Sequence, residues 1–263
     1  MFKDTSFIKL PFHQVNFITS APSGNVGLIY QADKRTVLKS SLSSGFRAPN
    51  IDDYGKVFEK KGNTVVPTNQ LKHEYAINGE LSAERIFGLN TLTFGASLYY
   101  TYLFNAIVRS DSQLNGADSI LYDGELTNVQ TNVNTNQAQI YGVSAYFKWS
   151  IIKNLYLSGT YNYTKGIDLT HLTPLAHISP QFGKVELMYK NNYFNTAIYS
   201  FYNFAKQAKD YGGSSDNLDE ATIDGTPAWT TLNYRFSYIG FKKSSFHLKV
   251  TNIFDAHYKQ FAS

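Results

Sequence analysis

A stretch of alternating side chains, residues 90–109 (NTLTFGASLYYTYLFNAIVR), limits what this chain can fold into more than any other feature. Successive side chains of a β-strand point to opposite faces, so this alternation predicts a strand. Strands of globular proteins usually have about 5–6 residues, whereas a membrane-spanning strand needs roughly 9–11. The stretch is long enough to cross a bilayer, although a long strand of a soluble β-sandwich explains this segment equally well. One face would carry Leu92, Phe94, Ala96, Leu98, Tyr100, Tyr102 and Phe104, and the other mostly small or polar residues, with Leu103 as the exception.

Composition and motifs exclude several classes of function. The chain has no cysteine, which excludes disulfide scaffolds, thiolate metal sites and cysteine nucleophiles. Its net charge of +4 is too small and too scattered to indicate a nucleic-acid partner. No Gly-rich phosphate loop, G-x-S-x-G elbow or credible pair of catalytic carboxylates is present, so we expect neither an enzyme nor a cofactor. No apolar run reaches the roughly 18 residues of a transmembrane helix, so any membrane crossing would use strands.

The same alternation recurs along the chain and predicts about ten antiparallel strands. The mixed pattern of residues 193–206 does not define the faces of that strand. Predicted connections alternate between short turns near residues 33, 85, 153, 191 and 242 and long loops near residues 58, 122, 172 and 218. Membrane barrels place short turns at one end of the wall and long loops at the other, whereas soluble sandwiches mix loop lengths. An antiparallel up-and-down transmembrane β-barrel is therefore favoured. The predicted strands are 24–31, 36–47, 70–82, 90–109, 137–151, 155–164, 181–190, 193–206, 230–239 and 246–254.

Four stretches, in this order along the chain, resemble the barrel of TonB-dependent outer-membrane receptors. They are SGNVGLIY (residues 23–30), GFRAPNIDDYGKVFE (45–59), DGTPAWTTLNYRFSY (224–238) and LKVTNIFDAHYKQFAS (248–263). The last is similar to the "NlfD…Y" stretch that precedes the final strand of the family. The resemblance covers nearly the whole chain, and the four stretches together are more specific than any one of them.

The resemblance implies a 22-stranded barrel with a plug domain in its lumen, of which residues 1–263 would supply about ten strands as a partial barrel. It implies the bacterial outer membrane and energised uptake of a scarce nutrient, such as a ferric siderophore, cobalamin or a glycan. The implied partners are outer-membrane lipid, the receptor's own plug domain, the periplasmic energy-coupling protein and a small-molecule or glycan ligand. The sequence shows no signal peptide, plug, coupling box or closing strand, so we expect the C-terminal part of the barrel, incomplete at both ends.

Three groups of residues are candidates for a site. Arg47, Asp52 and Asp53 begin a long loop and are candidates for ligand contact, although salt bridges and Asx turns that fix the loop are the favoured alternative. His171 and His177 share a loop but lack the spacing of a metal site. Asp216, Asp219, Glu220 and Asp224 do not match a calcium loop, and we expect a solvated acidic loop there. Residues predicted to face the lumen are Lys72, Glu74, Glu80, Lys184, Glu186 and Arg235.

Two alternatives to a transporting receptor remain open from the sequence. A soluble β-rich module that binds carbohydrate would also explain an aromatic content of 16%, and it would be monodisperse in plain buffer. A non-functional truncated receptor would share the fold of the functional one. The receptor interpretation predicts a requirement for detergent or lipid, since its apolar faces would have no core to join.

Overall fold

Strands dominate the computed structural model, which describes residues 8–12, 16–60, 62–89, 91–135, 137–212, 216, 221–240 and 243–261. Helix in the described elements is limited to a single turn, α1 (Ile51–Tyr54), and a 3-10 turn (Ala208–Asp210). In this part of the chain, no helix is long and apolar enough to cross a membrane. In chain order the strands are β1 (Gly24–Asp33), β2 (Thr36–Arg47), β3 (Phe58–Lys60), β4 (Asn63–Val66), β5 (Glu74–Phe87), β6 (Leu92–Phe104), β7 (Ile107–Asp111), β8 (Ser119–Tyr122), β9 (Glu125–Asn134), β10 (Gln137–Ile152), β11 (Leu155–Asp168), β12 (Thr173–Pro174), β13 (Phe182–Lys190), β14 (Phe194–Asn203), β15 (Lys206–Gln207), β16 (Gly225–Thr226), β17 (Trp229–Tyr238) and β18 (Phe246–Val250).

The largest sheet has eleven antiparallel strands: ten in a row, which we call the wall, and the two-residue β12, which pairs with the end of β11. The order of the wall is β1-β2-β5-β6-β10-β11-β13-β14-β17-β18, so each wall strand pairs with the wall strand before it in the chain. This confirms the predicted up-and-down arrangement of about ten strands. The connections alternate between short and long, as predicted, and therefore all long connections lie at one end of the wall. We call the two ends the turn end and the loop end.

Several predicted strand boundaries were wrong: the strand predicted at residues 155–164 continues to Asp168, and the one predicted at 246–254 ends at Val250. The strand predicted at residues 70–82 begins at Glu74 and continues to Phe87, so the turn expected near residue 85 lies inside β5. The strand predicted at residues 90–109 ends at Phe104, and its first residue lies outside the described part of the chain. Asn105 then adopts a left-handed backbone with φ of 54°, which stops the strand and redirects the chain into β7.

The two faces of the wall differ in composition and in exposure. The apolar face is open: Leu81, Leu98 and Ile198 are 63%, 60% and 51% exposed. On the other face, polar side chains of β13 and β17 are covered: Glu186 and Asn233 are only 7% and 3% exposed. Contacts of the wall run mainly between neighbouring strands, so side chains of the polar face are covered largely by one another. Such mutual cover requires the wall to curve towards its polar face.

Aromatic rings gather at both ends of the wall. At the turn end, the Phe194 ring lies 5.8 Å from Tyr189 and 5.7 Å from Phe236, and Phe236 lies 6.5 Å from Phe246, centroid to centroid. At the loop end, the Phe104 ring lies 6.5 Å from Tyr75 and 4.8 Å from Tyr102. Two aromatic bands separated by an apolar zone are typical of a membrane-spanning barrel, where they mark the two interfaces.

Glycines of the wall are matched with aromatic rings on neighbouring strands. Each of these glycines lies directly opposite its aromatic partner in the strand register. A β-carbon added to the glycine would clash with the ring, so the absent side chain is what lets the ring lie flat on the sheet. The pairs are Gly95 with Tyr146, Gly142 with Tyr99, Gly159 with Phe147, and Gly183 with Tyr202.

The first two long connections form a second sheet, which we call the cap. Its strand order is β3-β4-β9-β7, with β8 also paired to β9, and β4 runs parallel to β9. Leu10, Val66, Leu114 and Val129 form its buried apolar cluster. The long loops predicted near residues 58 and 122 therefore contain strands, which pair with each other across a large sequence separation.

Candidate functional site

On the polar face, a carboxylate lies between two cations. Glu186 of β13 has one oxygen 2.5 Å from Lys184 Nζ and the other 2.7 Å from Arg235 Nη2. The Tyr199 ring lies beneath both cations, 4.9 Å from Lys184 Nζ and 5.8 Å from the Arg235 guanidinium carbon. Such cation–π contacts add to the ion pairs. Because one carboxylate meets two cations, the cluster carries a net positive charge towards the space that the wall curves around.

A second group on the polar face is acidic. Glu84 of β5 accepts a hydrogen bond from the Tyr146 hydroxyl of β10. Glu80 lies on the same face of β5, opposite Tyr99 of β6. The polar face is therefore positive around β13 and β17 and negative along β5. Glu84 was missed because the sequence predicted a turn there, although continuing the alternation of β5 would have placed it on the face of Glu80.

At the loop end, Arg47 joins three elements. Its guanidinium lies 2.7 Å from Asp53 of α1 and forms a second ion pair with Glu74 of β5. Glu74 also accepts a hydrogen bond of 2.7 Å from the backbone N–H of Ile107 in β7. Arg47 and Glu74 thus hold the end of β2 to α1, β5 and the cap.

The helix beside this ion pair is built by a capping box. The Asn50 side chain accepts hydrogen bonds from the backbone N–H groups of Asp52 and Asp53, and Asp53 accepts one from the N–H of Asn50. Asp53 is therefore occupied by the cap and by Arg47. Asp52 points to solvent, with its side chain 71% exposed and 3.9 Å from Lys56 Nζ.

Lys72 lies outside the wall strand that was predicted to carry it. It precedes β5, and its backbone N–H donates to the Asn134 side-chain oxygen at 2.7 Å, while the Asn134 amide donates back to the Lys72 carbonyl at 3.0 Å. Lys72 is exposed at the junction of wall and cap. The strand alternation that would have fixed its direction therefore does not apply to it.

The two loop histidines contact different aspartates. His171 Nδ1 lies 2.8 Å from Asp168, and His177 Nδ1 lies 3.7 Å from Asp216. Among the residues that the structure describes, no three histidines or carboxylates are grouped as metal ligands.

Asp216 overturns part of the solvated-loop prediction. It is 1% exposed, and its carboxylate accepts hydrogen bonds of 2.6 Å from the backbone N–H groups of His177 and Gly212. Asp224 is exposed, as expected, whereas Asp219 and Glu220 lie outside the described residues. Sequence alone did not indicate that Asp216 is buried, since it lies among other acidic residues.

An up-and-down wall with an open apolar face, a covered polar face, aromatic bands and connections of alternating length belongs to the class of transmembrane β-barrels. The model of the family described as TonB dependent receptor-like, beta-barrel matches residues 4–253, and the chain belongs to that family. The family is an outer-membrane β-barrel group of transport receptors. No curated protein sequence matches the chain.

Solved structures share the fold. The copper transporter OprC superposes with a TM-score of 0.71 at 17% identity, over 91% of this chain and 34% of its own. The ferric enterobactin receptor PfeA from Pseudomonas aeruginosa gives 0.70 at 16%, over 88% and 35%. The siderophore receptor PirA from Acinetobacter baumannii gives 0.67 at 16%, over 89% and 37%. The chain thus spans about a third of the length of these proteins.

Proposed function

We propose that this chain is part of the barrel wall of an outer-membrane TonB-dependent receptor that takes up a scarce nutrient into the periplasm. The observation that carries the proposal is the exposure of the two faces of the wall. The apolar face is open and the polar face is covered, which is the reverse of a water-soluble protein. Fully burying a leucine side chain is worth roughly 1.5–3 kcal/mol. Leaving one such face open in water along ten strands would forfeit the main driving force of folding, whereas lipid satisfies it.

We further propose that residues 1–263 all belong to one barrel domain, of which they form a part. The remaining strands and the plug domain would belong to the same receptor. In the described part of the chain, β1 and β18 are the edge strands of the wall. A membrane-embedded sheet must pair the backbone groups of its edges, since an unsatisfied group in hydrocarbon costs several kcal/mol. Further strands of a closed barrel would satisfy them.

The polar face would line the lumen and meet the plug. We assign this role to Glu74, Glu80, Lys184, Glu186 and Arg235, and place Lys72 at the rim above them. The positive and negative regions of the face would orient a plug of complementary charge.

We assign Arg47 and Asp53 to fixing the loop rather than to contacting a ligand, because both side chains are engaged in ion pairs or hydrogen bonds within the chain. Asp52 is the member of the three with an exposed carboxylate. A ligand of the receptor would therefore find Asp52 accessible and the other two occupied.

The proposed cargo is a ferric siderophore, cobalamin or a glycan, with energy supplied through the periplasmic coupling protein. Support comes from family membership and from the siderophore and copper proteins that share the fold. The soluble carbohydrate-binding module is disfavoured by the open apolar face, which would have to lie in a core.

Membrane fractionation followed by an uptake assay tests the proposal. The complete receptor should sediment with outer membranes, require detergent for a monodisperse state, and take up one labelled ligand class only in cells that retain the coupling protein. A monodisperse protein in plain buffer would refute the membrane placement. A correctly inserted protein that takes up none of the three ligand classes would instead support the non-functional receptor.

A further inference from the structure

A pocket of about 490 Å³ lies at the loop end of the wall, where two neighbouring strands separate. Pairing of β11 with β13 ends at Asn162 and Phe182, while β11 continues to Asp168. The connection from β11 to β13 and the connection from β14 to β17 enclose the gap. Residues from both connections line it, together with residues 163–167 of β11. Its volume is within the range of about 300–1,000 Å³ that is typical of small-molecule sites. We call it the rim pocket.

The described residues of the two connections are held to each other by hydrogen bonds and an ion pair, so the rim pocket is preformed. Asp216 binds backbone N–H groups on each of them, at His177 and at Gly212. The Lys206 ammonium donates to the Ile178 carbonyl at 2.5 Å and lies 3.6 Å from Asp216. A preformed pocket does not pay the ordering cost that a flexible loop pays on binding.

Close packing of the first connection on the wall supports the same conclusion. A β-carbon added to Gly166 would lie 2.9 Å from Ile178 and 3.1 Å from Leu175, so these side chains already fill the space over the glycine. Gly166 lies on the polar face of β11, so Leu175 and Ile178 hold this part of the apolar lining against that face, at the edge where β13 no longer pairs.

Two lysines in the lining form no ion pair within the described part of the chain. These are Lys165 and Lys209, and both are exposed. Asp210 is the carboxylate of the lining, and Lys206 is already engaged by Asp216 and Ile178. The unengaged charges therefore sum to one positive charge. Apolar lining is supplied by Leu172, Pro174, Leu175, Ile178 and Pro180.

Lys165 also places the rim pocket relative to the membrane. It lies on the apolar face of β11, following Tyr161 and Tyr163 on that face and opposite Tyr141 of β10. A long side chain with a charged end, set beyond an aromatic band, keeps its ammonium in the polar layer at the membrane surface.

We propose that the rim pocket binds an anionic group, phosphate or carboxylate, that is carried on an apolar body, with Lys165 and Lys209 as its charge partners. Lysine binds phosphate as a point charge, and the apolar lining fits the attached body. The anion could come from a lipid head group or from a free solute. Binding of a lipid head group requires the membrane location proposed above. Binding of a free anion does not, because it depends only on the residues that line the pocket.

Native mass spectrometry of the complete receptor in detergent tests this assignment, with phosphatidylglycerol, phosphatidylcholine and inorganic phosphate as probes. The double variant Lys165→Gln/Lys209→Gln should bind phosphatidylglycerol at least about tenfold more weakly than the wild type. Lys39→Gln, which removes an exposed charge from the polar face of β2, serves as the control and should bind like the wild type. Both lysines of the double variant are exposed and unpaired, so the fold should not depend on them.

Each outcome has a defined meaning. Binding of phosphatidylglycerol that phosphate does not displace assigns a lipid source, and displacement by phosphate assigns recognition to the anion itself. Unchanged affinity in the double variant, or equal binding of phosphatidylcholine, overturns the proposal. A receptor that needs no detergent but still binds phosphate through these lysines would refute the proposed membrane placement and leave the rim pocket standing.

Discussion

Replacing Gly142 by alanine tests whether the fit between glycines and aromatic rings holds the wall together. The new β-carbon would lie well inside 3.0 Å of the Tyr163 carbonyl oxygen on β11 and of the Tyr99 hydroxyl on β6. A ring can rotate away, but a backbone carbonyl in a paired strand cannot. Overpacking of this kind typically costs about 1–3 kcal/mol. Alanine also recovers roughly 0.5–1 kcal/mol of backbone entropy relative to glycine.

Gly79→Ala is the matched control, since nothing lies within 4 Å of a β-carbon at that position of β5. The entropy gain is common to both variants, so the difference between them isolates the overpacking cost of about 1–3 kcal/mol. Urea unfolding of both proteins in the same detergent, compared at equal slope, measures it. The reasoning would be refuted if Gly142→Ala were as stable as Gly79→Ala.

Three further changes probe other parts of the molecule. Glu186→Gln leaves Arg235 and its neighbouring lysine without a counter-charge and should lower unfolding stability by about 1–3 kcal/mol; an unchanged urea midpoint would contradict this. At the β1–β2 turn, hydrogen bonds from the Arg35 backbone N–H and the Thr36 hydroxyl lower the pKa of Asp33 below 3.8. The ionised Asp33 carboxylate should therefore stabilise the folded protein fully above pH 3.8, and this stabilisation should be lost as the pH falls through the lower pKa of the folded state. A pKa of Asp33 at or above 3.8 in an NMR titration would contradict the prediction. Val129→Ala, at a 1% exposed position of the cap, should cost about 1–3 kcal/mol and speed proteolysis of the cap alone, whereas Leu126→Ala, 76% exposed on the same strand, should not.

Alternation of side chains predicted the wall well because lipid and lumen impose opposite requirements on successive residues. β2 was predicted with its observed bounds, Thr36–Arg47, since both of its ends coincide with changes in local pattern. Alternation could not reveal where β6 ends. β7 continues the pattern beyond Asn105, but in a different sheet, so the change of direction is invisible to a count of alternate positions.

The faces of β14 could not be assigned because two aromatic rings, Tyr199 and Phe201, lie on the polar side opposite Glu186 and Lys184. Tyr199 is 5% exposed and packs under Lys184 and Arg235, which come from other strands. Only the pairing of β13, β14 and β17 explains why a tyrosine occupies that face. The strands of the cap were not predicted for a similar reason. Asn, Asp and Gly favour turns locally, but pairing of β4 with β9 depends on residues far apart in the chain.

The sequence identified residues of the candidate site but not the contacts that they make. Arg47 and Asp53 were expected to fix a loop or contact ligand, and their geometry supports the first role. The partner that completes this ion pair, Glu74, was assigned to the lumen wall. The rim pocket was not foreseen, because its lining comes from three separate segments that the strand register alone brings together.

Parallel pairing of β4 with β9 also constrains the order in which the molecule can assemble. The two strands pair at residues 63–66 and 128–131, and the β5–β6 hairpin lies between them in the sequence. Closing so long a loop early has a large entropy cost, whereas a hairpin forms from local contacts within microseconds. The hairpin should therefore form first and bring β4 and β9 together, after which the cap closes over it. Once closed, the cap links the segments next to the loop ends of β5 and β6, so these two ends cannot move far apart until β4 and β9 unpair.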